Sequence, residues 1–429
     1  MANSGDLVKI ETKEETFEGV LMPEEKGVVV VKLRSGYNIG IDKSKIKKIS
    51  ITEKRKELKS TTLQLDQNKS LPKISILHTG GTIASKVDYE TGGVISRFTP
   101  EEIISMFPEL KNIAQLSSRL VRNMWSDDMR FAHYNILAKE IEKEVKSGAD
   151  GIIITHGTDT LHYTGAALSF ALENLPIPVI LVGAQRSSDR ASSDAGMNLI
   201  CASEFIAKTD FAGVVLCMHD KTSDSKCAIL PGVKCRKMHS SRRDAFKAIN
   251  TTSIATVDSD SRKIDFLRTD YNKKDKNRKL QLKLFDEKRK VGLLKIHTNM
   301  YSSEFKSYEG FDGLVIEGTG MGHAPINEID ELTKEHSKIF DSIKNLIKKG
   351  TVVAMSTQTI YGSVDMNVYS SGRKLIELGV LGNYTDMHPE TAFIKLAWLL
   401  SNFENEQVKE LYAKNLRGEI SENLSVSEE

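Results

Sequence analysis

The chain has 429 residues, which is enough for two or three domains with a large buried core. Its residues are 39% hydrophobic and 28% charged, and the formal net charge of +2 does not favour a surface that coats nucleic acid. The four cysteines form no CxxC pair, which fits neither a zinc site nor a secreted disulfide scaffold. Since no apolar stretch approaches the roughly 20 residues of a membrane span and no apolar signal core is seen, we predict a cytoplasmic protein with reduced thiols.

The N-terminal residues 1–52 are predicted to form a small β-barrel. Short β-patterns, LVKIE, TFEGVLM, GVVVVKL, YNIGI and KIKKIS, are separated by turn signals such as PEEKG and RSG. Residues 53–71 are polar and lack apolar periodicity, so a linker is predicted there.

The rest of the chain is predicted to form two α/β domains. In residues 72–254 the apolar runs KISIL, GIIIT, PVILVGA and AGVVLCM alternate with helical patterns, which is typical of parallel strands buried on both faces. Residues 255–290 are charge-dense and are predicted to be a crossing linker. Residues 291–415, with VGLLKI, GLVIEG and TVVAMS, form the second α/β domain, and residues 416–429 are predicted to be a flexible tail.

Two hydroxyl-rich loops follow strands of the first α/β domain. HTGGTIAS contains Thr82, and THGTDT contains Thr158 and Asp159. Ligands bind beyond the carboxyl ends of parallel strands, and neither loop has the glycine spacing of a phosphate cradle. Hydroxyls beside a carboxylate indicate nucleophilic acyl transfer, which needs a base to activate the hydroxyl. A lysine can be that base, and Lys234 and Lys237 both lie in a basic stretch after the fourth strand.

Structural roles are the alternative for several of these side chains. Thr82 could be a turn hydroxyl that caps a helix, and Asp159 could cap the helix that begins near residue 160. His78, His156 and His162 have no paired ligand at metal spacing, so we predict structural roles and no metal site.

The two loop motifs together resemble the bacterial-type L-asparaginase and glutaminase family. TGGTIAS at 79–85 and HGTDT at 156–160 match its paired signature, and the resemblance covers residues 72–415. It implies a two-domain asparaginase-like α/β fold with parallel sheets and a threonine nucleophile that needs no metal or organic cofactor. The stretch KMHSSRRDAFK resembles the family's segment after its catalytic lysine, so Lys237 is preferred to Lys234. The implied catalytic residues are Thr82, Thr158, Asp159 and Lys237.

The same resemblance implies a set of substrate-binding residues. Tyr89, in YETGGV, resembles the lid tyrosine that helps to activate the nucleophile. Ser126 and Asp127, in WSDDM, match the site for the substrate's α-amino and α-carboxyl groups, although the family often has Ser-Gln there. Asn299, in HTNMY, resembles a residue that reaches the site of a neighbouring subunit.

The N-terminal extension indicates a narrower resemblance. About 70 residues precede the TGGT strand, and EGTGMGHAP at 317–325 and TQTIYGSVDMNVY at 357–369 resemble the D-subunit family of archaeal-type glutamyl-tRNA(Gln) amidotransferases. That family implies a glutaminase whose ammonia passes to an E-type subunit, which binds the tRNA and activates the misacylated glutamate with ATP. It also implies a homodimer of this chain within a heterotetramer, ATP and magnesium on the partner, and weak or absent direct contact between this chain and tRNA.

Three functions follow from the sequence. The first is the ammonia-supplying glutaminase of a tRNA-dependent amidotransferase. The second is a stand-alone L-asparaginase that carries an accessory N-terminal domain. The third is a binding module on an asparaginase scaffold that has lost its chemistry, which the presence of all four implied catalytic residues disfavours.

Overall fold

A computed structural model of the chain describes residues 2–23, 27–33, 38–54, 68–81, 86–87, 94–95, 100–186 and 192–422. Most of the predicted linker, residues 55–67, lies outside these ranges. In the described part of the chain, no helix has both the length and the apolar character needed to cross a bilayer.

The N-terminal domain is an antiparallel sheet with its own hydrophobic core. Its strands are β1 Leu7–Thr12, β2 Thr16–Leu21, β3 Val28–Leu33, β4 Asn38–Asp42 and β5 Ile46–Glu53. They pair in the order β4-β3-β2-β1-β5. Alternate side chains of β1 and β3, including Val8, Ile10 and Val31, are fully buried between the strands. The five predicted strands are confirmed, and the sheet is barrel-like.

The first α/β domain contains one large mixed sheet and several short strands that pair outside it. Its strands are β6 Lys73–His78, β7 Lys86–Val87, β8 Val94–Ile95, β9 Gln115–Leu120, β10 Gly151–Thr155, β11 Leu172–Glu173, β12 Pro178–Val182, β13 Phe211–His219, β14 Lys226–Pro231, β15 Cys235–Lys237, β16 Phe246–Ala248, β17 Ala255–Asp258, β18 Ile264–Phe266, β19 Asn272–Lys273 and β20 Gln281–Leu282. The main sheet has the order β18-β17-β14-β13-β12-β10-β6-β9. Within this sheet, β9, β6, β10, β12 and β13 are parallel, and β14, β17 and β18 continue it in antiparallel pairing.

Helices cover both faces of this sheet, as the alternating apolar pattern predicts. They are α1 Pro100–Met106, α2 Phe131–Lys146, α3 Leu161–Ala171 and α4 Ala195–Lys208. Side chains of α2 and α3 pack in one core and those of α1 and α4 in another, with the sheet between the two. Since both faces are buried, the central strands β10 and β12 are buried along their whole length.

The prediction of a linker at 255–290 is wrong for residues 255–266, and the short strands β19 and β20 also pair with strands of the first α/β domain. Strand β17 pairs with β14 and with β18, so residues 255–266 belong to the main sheet. These strands lie at one end of the main sheet, and most of their side chains are only partly buried. Their polar composition reflects that exposure and is easily mistaken for a linker.

The second α/β domain has a parallel sheet of β21 Val291–Lys295, β22 Gly313–Gly318 and β23 Val352–Thr357. Its helices are α5 Ser302–Lys306, α6 Lys334–Lys348, α7 Ser370–Leu378, α8 Pro389–Asn402 and α9 Asn405–Tyr412. Helix α8 is almost entirely buried because it lies between the two domains, and Trp398 stacks on Phe170 of α3 at 5.4 Å between ring centroids.

The predicted flexible tail does not begin at 416. The side chain of Glu419 is 0% exposed and forms an ion pair with Lys395 of α8 at 2.5 Å. The same carboxylate accepts hydrogen bonds from the backbone N–H groups of Leu416 and Arg417. A carboxylate with a buried ammonium partner holds this segment in place, whereas the composition of the segment indicates only polarity. Residues 423–429 lie outside the described ranges.

Candidate active site

The first loop of the site is fixed by two glycines after β6. The N–H and the hydroxyl of Thr79 both donate to the carbonyl of Thr155, which joins this loop to β10. Gly80 has φ +116°, and a Cβ there would lie 2.3 Å from the carbonyl oxygen of Met124. Gly81 has φ +82°, and a Cβ there would lie 2.6 Å from the backbone nitrogen of Gly157. The glycines therefore let the backbone that leads to residue 82 touch the loop after β10.

The loop after β10 presents a threonine and an aspartate to a lysine. Lys237 of β15 donates from Nζ to Thr158 Oγ1 at 2.9 Å and to Asp159 Oδ1 at 2.8 Å. The lysine side chain is 9% exposed, whereas that of Asp159 is 65% exposed. The Lys237 amino group is thus sheltered on the protein side and faces a carboxylate that borders solvent. A proton can move among these three groups without large displacements.

Ser126 packs against the loop after β10. It lies in the 3-10 turn Ser126–Asp128, which follows β9, and its side chain is buried. A Cβ on Gly157 would lie 2.9 Å from the hydroxyl oxygen of Ser126. Thr160 donates from its hydroxyl to the carbonyl of Ser126 at 2.6 Å, so the two loops are also hydrogen-bonded. Asp127 is exposed in the same turn.

His156 holds the loop after β10 through hydrogen bonds from its imidazole ring. Its Nδ1 is 2.7 Å from the carbonyl of Gly157, so this nitrogen carries the proton, and Nε2 accepts from the hydroxyl of Thr164 at 2.9 Å. Burial lowers the pKa of His156 to about 4. Both nitrogens are engaged in holding backbone and helix, which is the structural role that the sequence predicts.

Family models match three parts of the chain. They are "Asparaginase, N-terminal" at residues 73–271, "Glutaminase/Asparaginase C-terminal domain" at 290–412 and "GatD N-terminal domain" at 2–52. The D subunit of the glutamyl-tRNA(Gln) amidotransferase of Methanococcus maripaludis strain C5 is 44% identical, over 98% of this chain and 99% of that protein. The corresponding D subunit of Pyrococcus furiosus is 45% identical, over 97% and 93%.

The chain belongs to the D-subunit family of glutamyl-tRNA(Gln) amidotransferases.

Solved asparaginases share the fold of the two α/β domains of this D-type chain. The thermostable L-asparaginase from Thermococcus kodakarensis superimposes with a TM-score of 0.70 at 29% identity, covering 82% of this chain and 100% of the asparaginase. L-asparaginase I from Vibrio cholerae gives 0.69 at 26% identity, covering 82% and 99%. The predicted asparaginase-like fold with a preceding β-domain is therefore confirmed.

The structure separates the two candidate lysines of this D-type chain. Lys234 is buried and forms an ion pair with Asp386 of the second α/β domain, and it also donates to the hydroxyl of Ser421 at 2.9 Å. Burial lowers its pKa, and the hydrogen bond and charge of Asp386 partly offset that effect. Since its ammonium group is used at the domain boundary, Lys237 is the lysine that meets Thr158 and Asp159.

The remaining predicted site residues are Thr82, Tyr89 and Asn299. Thr82 and Tyr89 lie outside the described residues. Asn299 is exposed in the loop after β21 with φ 59°. Among the described residues, no hydrogen bond joins Asn299 to Thr158 or to Lys237.

The basic stretch around Lys237 contains a residue whose partner the sequence does not reveal. Arg236 forms an ion pair with Glu390 at 2.8 Å, and Glu390 lies 154 positions away in the first turn of α8. The clustering of basic side chains marks this stretch as important, but the acidic partner is not adjacent in the sequence and no motif signals it.

Proposed function

We propose that this chain is the glutaminase subunit of a tRNA-dependent amidotransferase. It hydrolyses glutamine to glutamate and ammonia, and the ammonia passes to an E-type subunit that converts Glu-tRNA(Gln) to Gln-tRNA(Gln). The observation that carries the chemical part is the contact of Lys237 with Thr158 and Asp159, beside the glycine that directly precedes Thr82.

The proposed reaction is acyl transfer through a threonine ester. The hydroxyl oxygen of Thr82 attacks the carbonyl carbon of the side-chain amide, and its proton passes by way of Thr158 or a water to the Lys237–Asp159 pair. Backbone N–H groups of the loops stabilise the oxyanion that develops. The C–N bond then breaks, the nitrogen takes up a proton and ammonia leaves. Water hydrolyses the ester, which releases glutamate and returns the proton to Thr82.

Substrate recognition is assigned to the rim of this centre. Ser126 and Asp127 would bind the α-amino and α-carboxyl groups, Tyr89 would assist the nucleophile, and Asn299 would contribute across a subunit boundary. The position of Ser126 against Gly157 supports the first of these roles.

The partner chemistry is assigned to a second kind of subunit. The relatives that match this chain over nearly its full length are named as one subunit of an amidotransferase, which supports a partner subunit, and we propose that this partner is of E type. That partner would bind the tRNA, ATP and magnesium, and two copies of this chain would form the centre of a cytoplasmic heterotetramer. This chain would itself need no metal or organic cofactor.

A stand-alone L-asparaginase is the alternative. It is supported by the solved L-asparaginases, which share the fold of both α/β domains at 26–29% identity. Glutamine and asparagine differ by one methylene, and such a difference is typically worth only about 1–3 kcal/mol of discrimination in a pocket.

The test is ammonia release from glutamine and from asparagine by the purified chain, alone and with its co-expressed partner. Glutamine turnover that rises with the partner and acylated tRNA is expected. Fast asparagine turnover by the isolated chain, unaffected by the partner, would establish the alternative.

The nucleophile assignment is tested in the same assay with two variants. Thr82→Ala is expected to abolish ammonia release without loss of folding, and Thr82→Ser, which keeps a hydroxyl, is expected to retain part of it. Unchanged release by Thr82→Ala would remove the nucleophile from this position.

A further inference from the structure

The strand that carries Lys237 is held by the second α/β domain. In β15, Arg236 directly precedes Lys237 and donates from Nε and from a terminal nitrogen to the same oxygen of Glu390, both at 2.8 Å. A guanidinium is planar and its donors have a fixed geometry, so two such bonds set both the position and the direction of the Arg236 side chain.

Glu390 is itself fixed by its neighbours. Its second oxygen accepts from Nδ1 of His388 at 2.9 Å, and it lies in the first turn of α8, where the helix dipole favours a negative charge. Burial alone would raise the pKa of Glu390, but the hydrogen bond and charge of His388 and the charge of Arg236 lower it below its ordinary value. The carboxylate therefore stays ionised and paired.

The same turn of α8 contacts the segment before β15 at a second point. Nε2 of His388 is 3.0 Å from the hydroxyl of Thr391, and that hydroxyl donates to the backbone carbonyl of Val233 at 2.9 Å. The segment from 233 to 236 is thus bonded to one helix end through both backbone and side chain. Its position depends on the second domain as well as on its strand partner β16.

Arg236 and Lys237 are neighbours on a strand, so their side chains point to opposite faces. Fixing Arg236 on one face therefore fixes the rotation of the strand about its own axis, and with it the direction of Lys237 on the other face. Strand β15 has three residues, which pair with β16.

We propose that Glu390, acting through Arg236, positions Nζ of Lys237 for its hydrogen bonds to Thr158 and Asp159. Glu390 is a positioning residue. Through it, the position of Lys237 in the first α/β domain depends on a residue of the second α/β domain. The inference rests on the proposed amide hydrolysis.

The test compares Glu390→Gln with Glu419→Gln in the full chain with its partner. Both changes remove the charge of a buried carboxylate that pairs with a cation. Within the described part of the chain, the ion pair and hydrogen bonds of Glu419 go to Lys395 of the same helix α8 and to the backbone of Leu416 and Arg417, and none goes to β15. Both are expected to lower the free energy of unfolding in urea. Glu390→Gln alone is expected to lower kcat, by on the order of 10- to 100-fold, with KM changed less than about twofold, because misplacing a catalytic group by about 1 Å costs up to about 100-fold.

A double substitution examines whether the effect runs through the arginine. Arg236→Met should lower kcat like Glu390→Gln, and the double variant should be no slower than either single variant, since both remove the same constraint. Multiplied losses in the double variant would show that Glu390 acts by another route, and would overturn the inference.

A second measurement of the position of Lys237 does not depend on enzyme activity. Lysines are acetylated with a limiting amount of an acetyl ester, and the extent of acetylation at each lysine is measured by mass spectrometry. Lys237 is expected to react faster in Glu390→Gln than in the unaltered chain or in Glu419→Gln. If both kcat and the Lys237 reaction are unchanged in Glu390→Gln, or change equally in Glu419→Gln, the inference is wrong. If the unaltered chain hydrolyses no amide, the proposed function fails, and the acetylation alone decides whether Glu390 positions Lys237.

Discussion

Substituting Gly81 by alanine tests the contact between the two catalytic loops. An alanine Cβ would lie 2.6 Å from the nitrogen and 2.8 Å from the Cα of Gly157, and both are backbone atoms that no side-chain rotation can move away. Ordinary contact begins near 3.4 Å, so the loops must separate by about 0.8 Å. Misplacement by about 1 Å costs up to about 100-fold in rate, so we expect kcat to fall by roughly 30- to 100-fold, or about 2–3 kcal/mol in the barrier.

Gly148 provides a matched control for the backbone conformation. It has φ +83°, almost the same as Gly81 at +82°, but a Cβ on Gly148 would have no neighbour within 4 Å. Gly148→Ala should therefore show only the conformational cost, about 1–2 kcal/mol, reduced by the lower entropy of the unfolded alanine chain. Gly81→Ala should lose about 1–3 kcal/mol more, because the collision adds to that cost.

The assays are urea unfolding and ammonia release by all three proteins. Gly148→Ala is expected to keep the kcat of the unaltered chain. Equal stability losses in the two variants, together with unaltered ammonia release by Gly81→Ala, would refute the argument that this close approach sets the geometry of the site.

Three further predictions use the same assays. Lys237→Met should lower kcat by on the order of 10²–10⁴-fold with little loss of stability, since its carboxylate partner borders solvent. Lys234→Met should instead lose about 3–5 kcal/mol of stability, because Asp386 is left buried and unpaired. The reverse pattern would exchange the roles of the two lysines. The pKa of His156 in the folded chain is lowered to about 4, so the unfolded chain binds more protons below pH 6.5. The contribution of this group to stability should therefore be constant above about pH 7.5 and fall by on the order of 2 kcal/mol by pH 5. A urea midpoint that does not change between these pH values would contradict the burial of His156. Truncation that removes residues 416–422 should lower the urea midpoint strongly, whereas removing only 423–429 should not, and equal effects would show that the buried carboxylate of this segment does not contribute.

Sequence alone determines the central strands of the two α/β domains. The short apolar runs mark the central strands because a strand buried on both faces has no polar side, and each predicted run corresponds to a strand of the structure. The paired motifs around Thr82 and Thr158 lie directly after two of these strands, and parallel strands bring their carboxyl ends to one sheet edge. The local pattern therefore predicts that the two loops lie at the same sheet edge, and the pairing of β6 with β10 in the structure makes their strands neighbours.

The tertiary structure decides which charged groups meet. Lys234 and Lys237 are alike in sequence, but one lies against Asp386 and the other against Asp159, because each faces a different domain. The strands β17 and β18 and the segment around Glu419 have polar sequences, and their places in the fold depend on partners elsewhere in the chain. Hydrophobic periodicity describes one element at a time, whereas ion pairs such as Arg236–Glu390 join residues 154 positions apart, so only the packing of the two domains reveals them.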